Sequence, residues 1–108
     1  MSSLKLMVLF FAATALVYAG AQRYDLRLFQ DSVVNGKELK SGDYKLVVED
    51  DSKVTISSRG TKVEANVRTK VAETKFSSTS VRYDNGDGKF RIKEIRLGGT
   101  NKVLTFDN

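Results

Sequence analysis

Between Thr61 and Val71 the side chains alternate without a break. Val63, Ala65, Val67, Thr69 and Val71 fall on one side of an extended chain, with Lys62, Glu64, Asn66, Arg68 and Lys70 on the other. A period of two sets an apolar face against a wet one, which is the mark of a strand rather than a helix. The pattern therefore predicts an antiparallel sheet covered on one face. It recurs in Tyr44, Leu46 and Val48 against Lys45 and Glu49, and in Val54 and Ile56 against Lys53, Thr55 and Ser57. Val81 and Tyr83 against Ser80 and Arg82 repeat it once more. After residue 21 no run has helical spacing long enough to predict a helix.

Turn residues punctuate these runs at intervals of about 8–12 residues, the spacing of a sandwich or small barrel. Asn35-Gly36 is the strongest signal, because both residues tolerate the positive φ of a tight hairpin. Ser41-Gly42-Asp43, Glu49-Asp50-Asp51, Arg59-Gly60, Asn85-Gly86-Asp87-Gly88 and Gly98-Gly99-Thr100-Asn101 complete the set. The predicted strands are 24–34, 37–40, 44–50, 53–58, 61–72, 77–84, 89–97 and 102–107, with 73–80 as a loop or crossover. Phe90 and Ile92 share one parity and Ile95 and Leu97 the other, so a bulge is expected near Lys93-Glu94. The expected core is Leu26, Leu28, Leu39, Tyr44, Leu46, Val48, Val54, Ile56, Val63, Ala65, Val67, Val81, Phe90, Ile92, Leu104 and Phe106. The fold class expected is all-β: a small antiparallel β-sandwich or partly open barrel of seven to eight strands.

The N-terminus reads differently. Lys5 is the only charge before Arg23, and an apolar run from Leu6 to Val17 leads to the small residues Ala19, Gly20 and Ala21. A basic start, a short apolar stretch and an A-x-A-like end are what export and signal peptidase require. Residues 1–21 are therefore expected to be a signal peptide, cut before Gln22 or, as second choice, after Ala19. The competing reading, a membrane anchor, needs about 20 apolar residues, and Leu6–Ala21 falls short. The expected domains are a signal peptide at 1–21 and one all-β domain at 22–108, secreted or periplasmic, with no membrane span after cleavage.

Composition narrows the chemistry. The chain has no Cys and no His, so Ser-His and Cys-His nucleophiles are excluded and no disulfide supports the fold. A Ser-Lys pair is spaced for catalysis only at Ser2–Lys5, within the leader, and Ser57-Ser58 sit before an ordinary Arg59-Gly60 turn. Glu49, Asp50 and Asp51 are adjacent, so they cannot flank a glycosidic bond. Asp84-Asn85-Gly86-Asp87-Gly88 resembles part of a calcium loop, yet the later ligand positions hold the strand-like Phe90–Ile95, and a hairpin turn explains it. Gly98-Gly99-Thr100 lies between two strands, with no helix N-terminus to hold a phosphate. No catalytic, cofactor or metal residue is assigned; Tyr83, Asp84 and Glu94 are the only residues a catalytic reading would test.

The formal net charge of +5 falls by one with Lys5. Lys62, Arg68 and Lys70 on one strand and Lys89, Arg91 and Lys93 on another would form a basic stripe if the strands were neighbours. No aromatic residues interleave with these cations on that face, so nucleic acid has no stacking platform and none is expected as a partner. An acidic envelope polymer, or self-association through strand edges, is the partner expected.

Two stretches carry a resemblance: Val34-Asn35-Gly36-Lys37-Glu38-Leu39-Lys40-Ser41-Gly42-Asp43-Tyr44-Lys45-Leu46, and Glu94-Ile95-Arg96-Leu97-Gly98-Gly99-Thr100 through Phe106. With the leader they resemble a group of short, uncharacterised secreted bacterial all-β proteins sharing G-x-x-L-x-x-G-x-Y and I-x-L-G-G-T. The resemblance implies export and an all-β fold, and carries over no functional residue. The segment Leu39–Val48 is more loosely similar to carboxypeptidase-regulatory-like sandwich modules, where a glycine turn leads into a Tyr-centred strand. The expectation is a non-catalytic binding or structural module of the cell envelope or extracellular matrix, acting through surface contacts or exposed edges. The alternative is a carrier of a small apolar ligand inside a barrel.

Overall fold

The computed structural model describes residues 21–107; the expected signal peptide falls, but for Ala21, outside the described residues. Among the described residues the chain forms nine strands and no helix. They are β1 (Gln22–Leu28), β2 (Ser32–Val34), β3 (Lys37–Leu39), β4 (Gly42–Asp50), β5 (Lys53–Ser58), β6 (Thr61–Val71), β7 (Ser80–Asp84), β8 (Arg91–Arg96) and β9 (Lys102–Phe106). All-β architecture is therefore established, in one open sheet ordered β1-β4-β5-β6-β9-β8-β2-β3, with β7 added on β8.

β6 joins the two halves of this sheet. Its first part, Thr61–Asn66, pairs with β5, and its second, Val67–Val71, pairs with β9. Because the pleat continues through both parts, Val63, Ala65 and Val67 stay inside while the strand changes partner. One apolar cluster fills the space between the halves. Leu26, Leu28, Leu46, Val54 and Ile56 from one side meet Ile92, Ile95, Leu104 and Phe106 from the other. Each fully buried aliphatic chain contributes about 1.5–3 kcal/mol, and this packing must hold a domain without cross-links.

Three sequence expectations need correction. The run expected as one strand over 24–34 breaks at Phe29–Asp31, and β2 leaves β4 behind to run parallel to β8 through Val33 and Arg91. The sheet is mixed rather than wholly antiparallel for that reason. Ser32, Val33 and Val34 are all buried, because the β2–β3 hairpin enters the end of the shell instead of lying on its surface. Val48 and Val81 only pack against the core's margin, and Phe90 is half-buried, its edge set against Tyr83. Ile95 and Leu97, left out of the expected core, are buried.

The expected bulge is present. Arg82 faces Glu94 and Tyr83 faces Ile92, leaving Lys93 as the extra residue. One inserted residue resets the parity, so Ile92 and Ile95 both point inward at 0% exposure. The Asn35-Gly36 turn also forms as read, with φ of 50° and 75° joining β2 to β3. Asn35 Nδ2 then donates to the Glu64 carbonyl at 3.0 Å, which ties the hairpin tip to β6.

β8 carries three partners. β7 covers Arg91–Arg96 along one edge, so β9 at Glu94–Arg96 and β2 at Arg91 share the other. Six successive antiparallel pairings lead from β1 through β4, β5, β6, β9 and β8 to β7. An even number of reversals makes β1 and β7 run in the same direction along the wrapped sheet. Among the described residues each pairs on one side only, which leaves the shell open between them.

Candidate functional site

The opening is a groove of about 1000 Å³. One wall is built by β1 and the ends of β4 and β5: Asp25, Leu26, Arg27, Asp43, Tyr44, Lys45, Ser57 and Ser58, with Phe29 beyond the end of β1. The opposite wall is Ser77–Ser80, Val81, Tyr83 and Gly98. Leu26 and Tyr44 are buried and form an apolar floor, whereas Phe29 is 84% exposed. Phe29 thus stands as a single exposed aromatic side chain at the rim of the groove.

The charges of the first wall are spent on each other. In the β1–β4 register Asp25 stands opposite Lys45 and Arg27 opposite Asp43. Lys45 binds Asp25, and Arg27 Nε donates to Asp43 at 2.8 Å with a longer second contact from the same guanidinium at 3.4 Å. The Arg27 hydrogen bond and charge hold the Asp43 carboxyl below its ordinary range and raise the guanidinium in turn. Tyr44 donates its hydroxyl to the Lys40 carbonyl at 2.7 Å, and burial, then the Asp31 charge, push its pKa up. The wall is formally neutral and offers no free acid–base pair.

The second wall is held by the turn after β8. Phe76 forms an isolated parallel bridge with Gly98, its N–H donating to Thr100 O at 2.8 Å while its carbonyl accepts from Gly99 N at 2.8 Å. Gly98 N donates to Thr79 Oγ1 at 3.0 Å, and the Arg96 guanidinium lies 5.5 Å from the Phe76 ring centroid. The serine-rich stretch read as a loop is thus a fixed rim. Behind it the wholly buried Ser32 hydroxyl donates to the Gln30 carbonyl at 2.8 Å and shares a 3.0 Å hydrogen bond with the Tyr83 hydroxyl. Replacing Tyr83 by Phe is expected to cost about 1 kcal/mol, the net value of one such bond. Urea titration reads this directly, and an unchanged midpoint would contradict it.

The other sequence candidates fall elsewhere. Asp84 Oδ1 accepts from Gly86 N at 3.1 Å, and Asp87 accepts from Lys89 N and binds the Arg91 guanidinium at 2.6 Å. Both carboxylates of the calcium-like loop therefore serve the turn. Among the described residues no group of three or more acidic, His or Cys side chains could hold a metal ion. Tyr83, Asp84 and Glu94 do not converge: Tyr83 packs against the core, Asp84 caps its turn, and Glu94 stands opposite Arg82 and Thr105. Ser57 and Ser58 line the groove, and Lys45, which stands opposite Ser57 in the β4–β5 register, is bound by Asp25. The basic stripe needs correction, because β9 lies between β6 and β8, and Arg91 is bound by Asp87. Among the described residues no helix is long and apolar enough to cross a membrane.

Three exposed carboxylates are expected to set an acid limit. Asp43, Asp50 and Asp87 sit below the ordinary 3.8, held chiefly by hydrogen bonds from Arg27, from Ser52, and from Arg91 respectively. A depressed folded pKa stabilises the fold above the unfolded value and loses that effect as pH falls through it. The melting temperature is therefore expected to hold down to about pH 4 and to decline below it. The triple variant D43N/D50N/D87N should flatten that decline, as measured by circular dichroism between about pH 2.5 and 6. An equally steep decline in the variant would show that other groups set the limit.

Comparison with protein-family models, with curated proteins and with solved structures finds no match to this chain.

Proposed function

We propose that this chain is an exported, non-catalytic binding module of the cell envelope or extracellular matrix that takes its partner in the groove between β1 and β7. The observation that carries the reading is the groove itself. A sheet that could have closed leaves two edges apart, with an apolar floor and the exposed Phe29 beside it. Export is supported by the pattern of residues 1–21, a basic start and apolar run ending in Ala19-Gly20-Ala21. A non-catalytic role is supported by the mutual pairing of Asp25, Arg27, Asp43 and Lys45, which leaves the first wall no free base or acid.

The test uses residues 22–108 immobilised and exposed to fractionated envelope and culture-medium polymers. Retention of a partner is expected, and Phe29→Ser should lower it at least about fivefold, as loss of an aromatic anchor does. Because Phe29 is outside the core, its melting temperature should stay within about 3 °C of the native value. Retention indifferent to Phe29 and to groove substitutions would refute the assignment of the site. Uptake of a small apolar dye with no macromolecule retained would favour the carrier reading instead.

A further inference from the structure

The groove has a second property that its volume does not express. A strand in an antiparallel pair turns both main-chain groups of every second residue toward its partner and those of the intervening residues away. β1 pairs with β4 over seven consecutive positions without a bulge, and among the described residues has no other partner in the sheet. Its far side is therefore an unbroken row of N–H and C=O groups directed away from β4. β7 presents a corresponding row on the side away from β8. Asp25–Arg27 of the first row and Ser80, Val81 and Tyr83 of the second line the same groove, and the two strands run in the same direction.

We infer that the groove is a receptor for one extended polypeptide segment, inserted antiparallel to both β1 and β7 as a further strand that closes the shell. This rests on the binding reading above and names the ligand class for that site. A single orientation satisfies both rows at once, because like-directed edges are antiparallel to the same inserted strand. Alternate side chains of the segment descend toward Leu26, Tyr44 and Val81, and the others face outward. Charge sets its chemistry. The ion pairs Asp25–Lys45 and Arg27–Asp43 leave the first wall neutral, and Ser77–Ser80 adds none, so the segment is held by main-chain bonds rather than by charge of one sign.

A second copy of this chain does not supply such a segment from its described strands. Each of them is already hydrogen-bonded within its own sheet, so another copy can bring only an edge, which covers one row and leaves the other open. A free, extended stretch of a partner chain meets both. Peptide recognition by strand addition works in this way, with main-chain bonds giving affinity and alternate side chains giving selectivity.

The test uses residues 22–108 and a fluorescein-labelled peptide with the sequence of residues 42–48, which already pairs antiparallel with β1 on its other edge. Fluorescence anisotropy is expected to show saturable binding, while a scrambled peptide of the same composition binds at least about tenfold more weakly. Two further peptides carry N-methyl groups on alternate amides, one set each. Each set is expected to lose about tenfold in affinity, since one set of donors serves β1 and the other β7. Raising salt from about 50 to 500 mM should change affinity less than about twofold, whereas a polyanion site would lose far more. Hydrogen exchange should show new protection at residues 22–28 and 80–84. Equal binding of scrambled and native-order peptides, or indifference to both methylated sets, overturns the inference. If a polysaccharide is instead retained in a Phe29-dependent way and the peptides fail, the binding module stands and the inserted strand falls. If neither binds, both readings fall.

Discussion

Replacing Leu104 by alanine is expected to remove about 2–5 kcal/mol of stability, the range for deleting a buried leucine. Leu104 is fully buried and stands on β9 between Thr69 of β6 and Ile95 of β8. Its neighbours belong to a continuous sheet, so they cannot collapse into the space left behind without breaking main-chain pairs. A domain of this length has a net stability of about 0.05–0.15 kcal/mol per residue, and no disulfide to fall back on. A loss near 3 kcal/mol should lower the melting temperature by roughly 12–24 °C. Val71→Ala provides the control: it is 71% exposed, so its effect should stay within about 0.5 kcal/mol. A Leu104→Ala protein that loses less than about 1 kcal/mol would show a core looser than the packing implies.

Gly98→Ala is expected to be nearly as damaging for the opposite reason. A methyl group there would lie 2.7 Å from Thr79 N and 2.8 and 2.9 Å from the Ser78 carbonyl carbon and Cα. All three are backbone atoms, so no side chain can rotate away, and overpacking of this kind costs about 1–3 kcal/mol. The segment that must yield, Ser78–Thr79, belongs to the groove's second wall, so peptide binding should weaken together with the melting temperature. Gly86→Ala is the matched control, with only the Asp84 carboxylate at ordinary contact, 3.4 Å. If Gly98→Ala melts with the native protein, the close approach of 78–79 to the β8–β9 turn does not exist in solution.

How much of this was legible depends on which residues carried the information. The alternation from Thr61 to Val71 specified β6 and its inner face, because period-two burial is a local property of one strand. Asn35-Gly36 specified a hairpin for an equally local reason, the cost of positive φ for other residues. The opposed parities of Ile92 and Ile95 announced the Lys93 bulge. Strand partnership was not legible. Nothing in Phe29-Gln30-Asp31 says that the chain there leaves β4 for β8, since that choice is made by residues far away in sequence. The basic stripe failed on the same point: Lys62 and Lys93 have the right chemistry, but β9 comes between their strands.

The groove escaped sequence reading most completely. Its two walls come from residues 25–58 and 77–98, and its existence depends on which strands end the sheet. Residues 73–80 read as a loop or crossover, and what holds them in place, the bonds of Phe76 to Gly99 and Thr100 and of Gly98 to Thr79, comes from the distant β8–β9 turn. Phe29 carries a signal the sequence reading did not use: it is apolar on the outward parity, opposite to Leu26 and Leu28, and is followed at once by polar residues. An apolar residue that the pattern cannot place inside is a candidate for a surface that meets something else.

The parallel contact between Val33 of β2 and Arg91 of β8 has a consequence for the order in which the molecule assembles. β4, β5 and β6 are joined by tight turns and can zip together from adjacent sequence, whereas β2 must wait until β8 exists. Loop closure across so long an intervening stretch is entropically costly and is repaid only by a short strand. Hairpin insertion should therefore be the last step of folding, and the chain should reach its native state in milliseconds to seconds rather than microseconds. In the folded domain that insertion buries Val33, Val34 and Leu39.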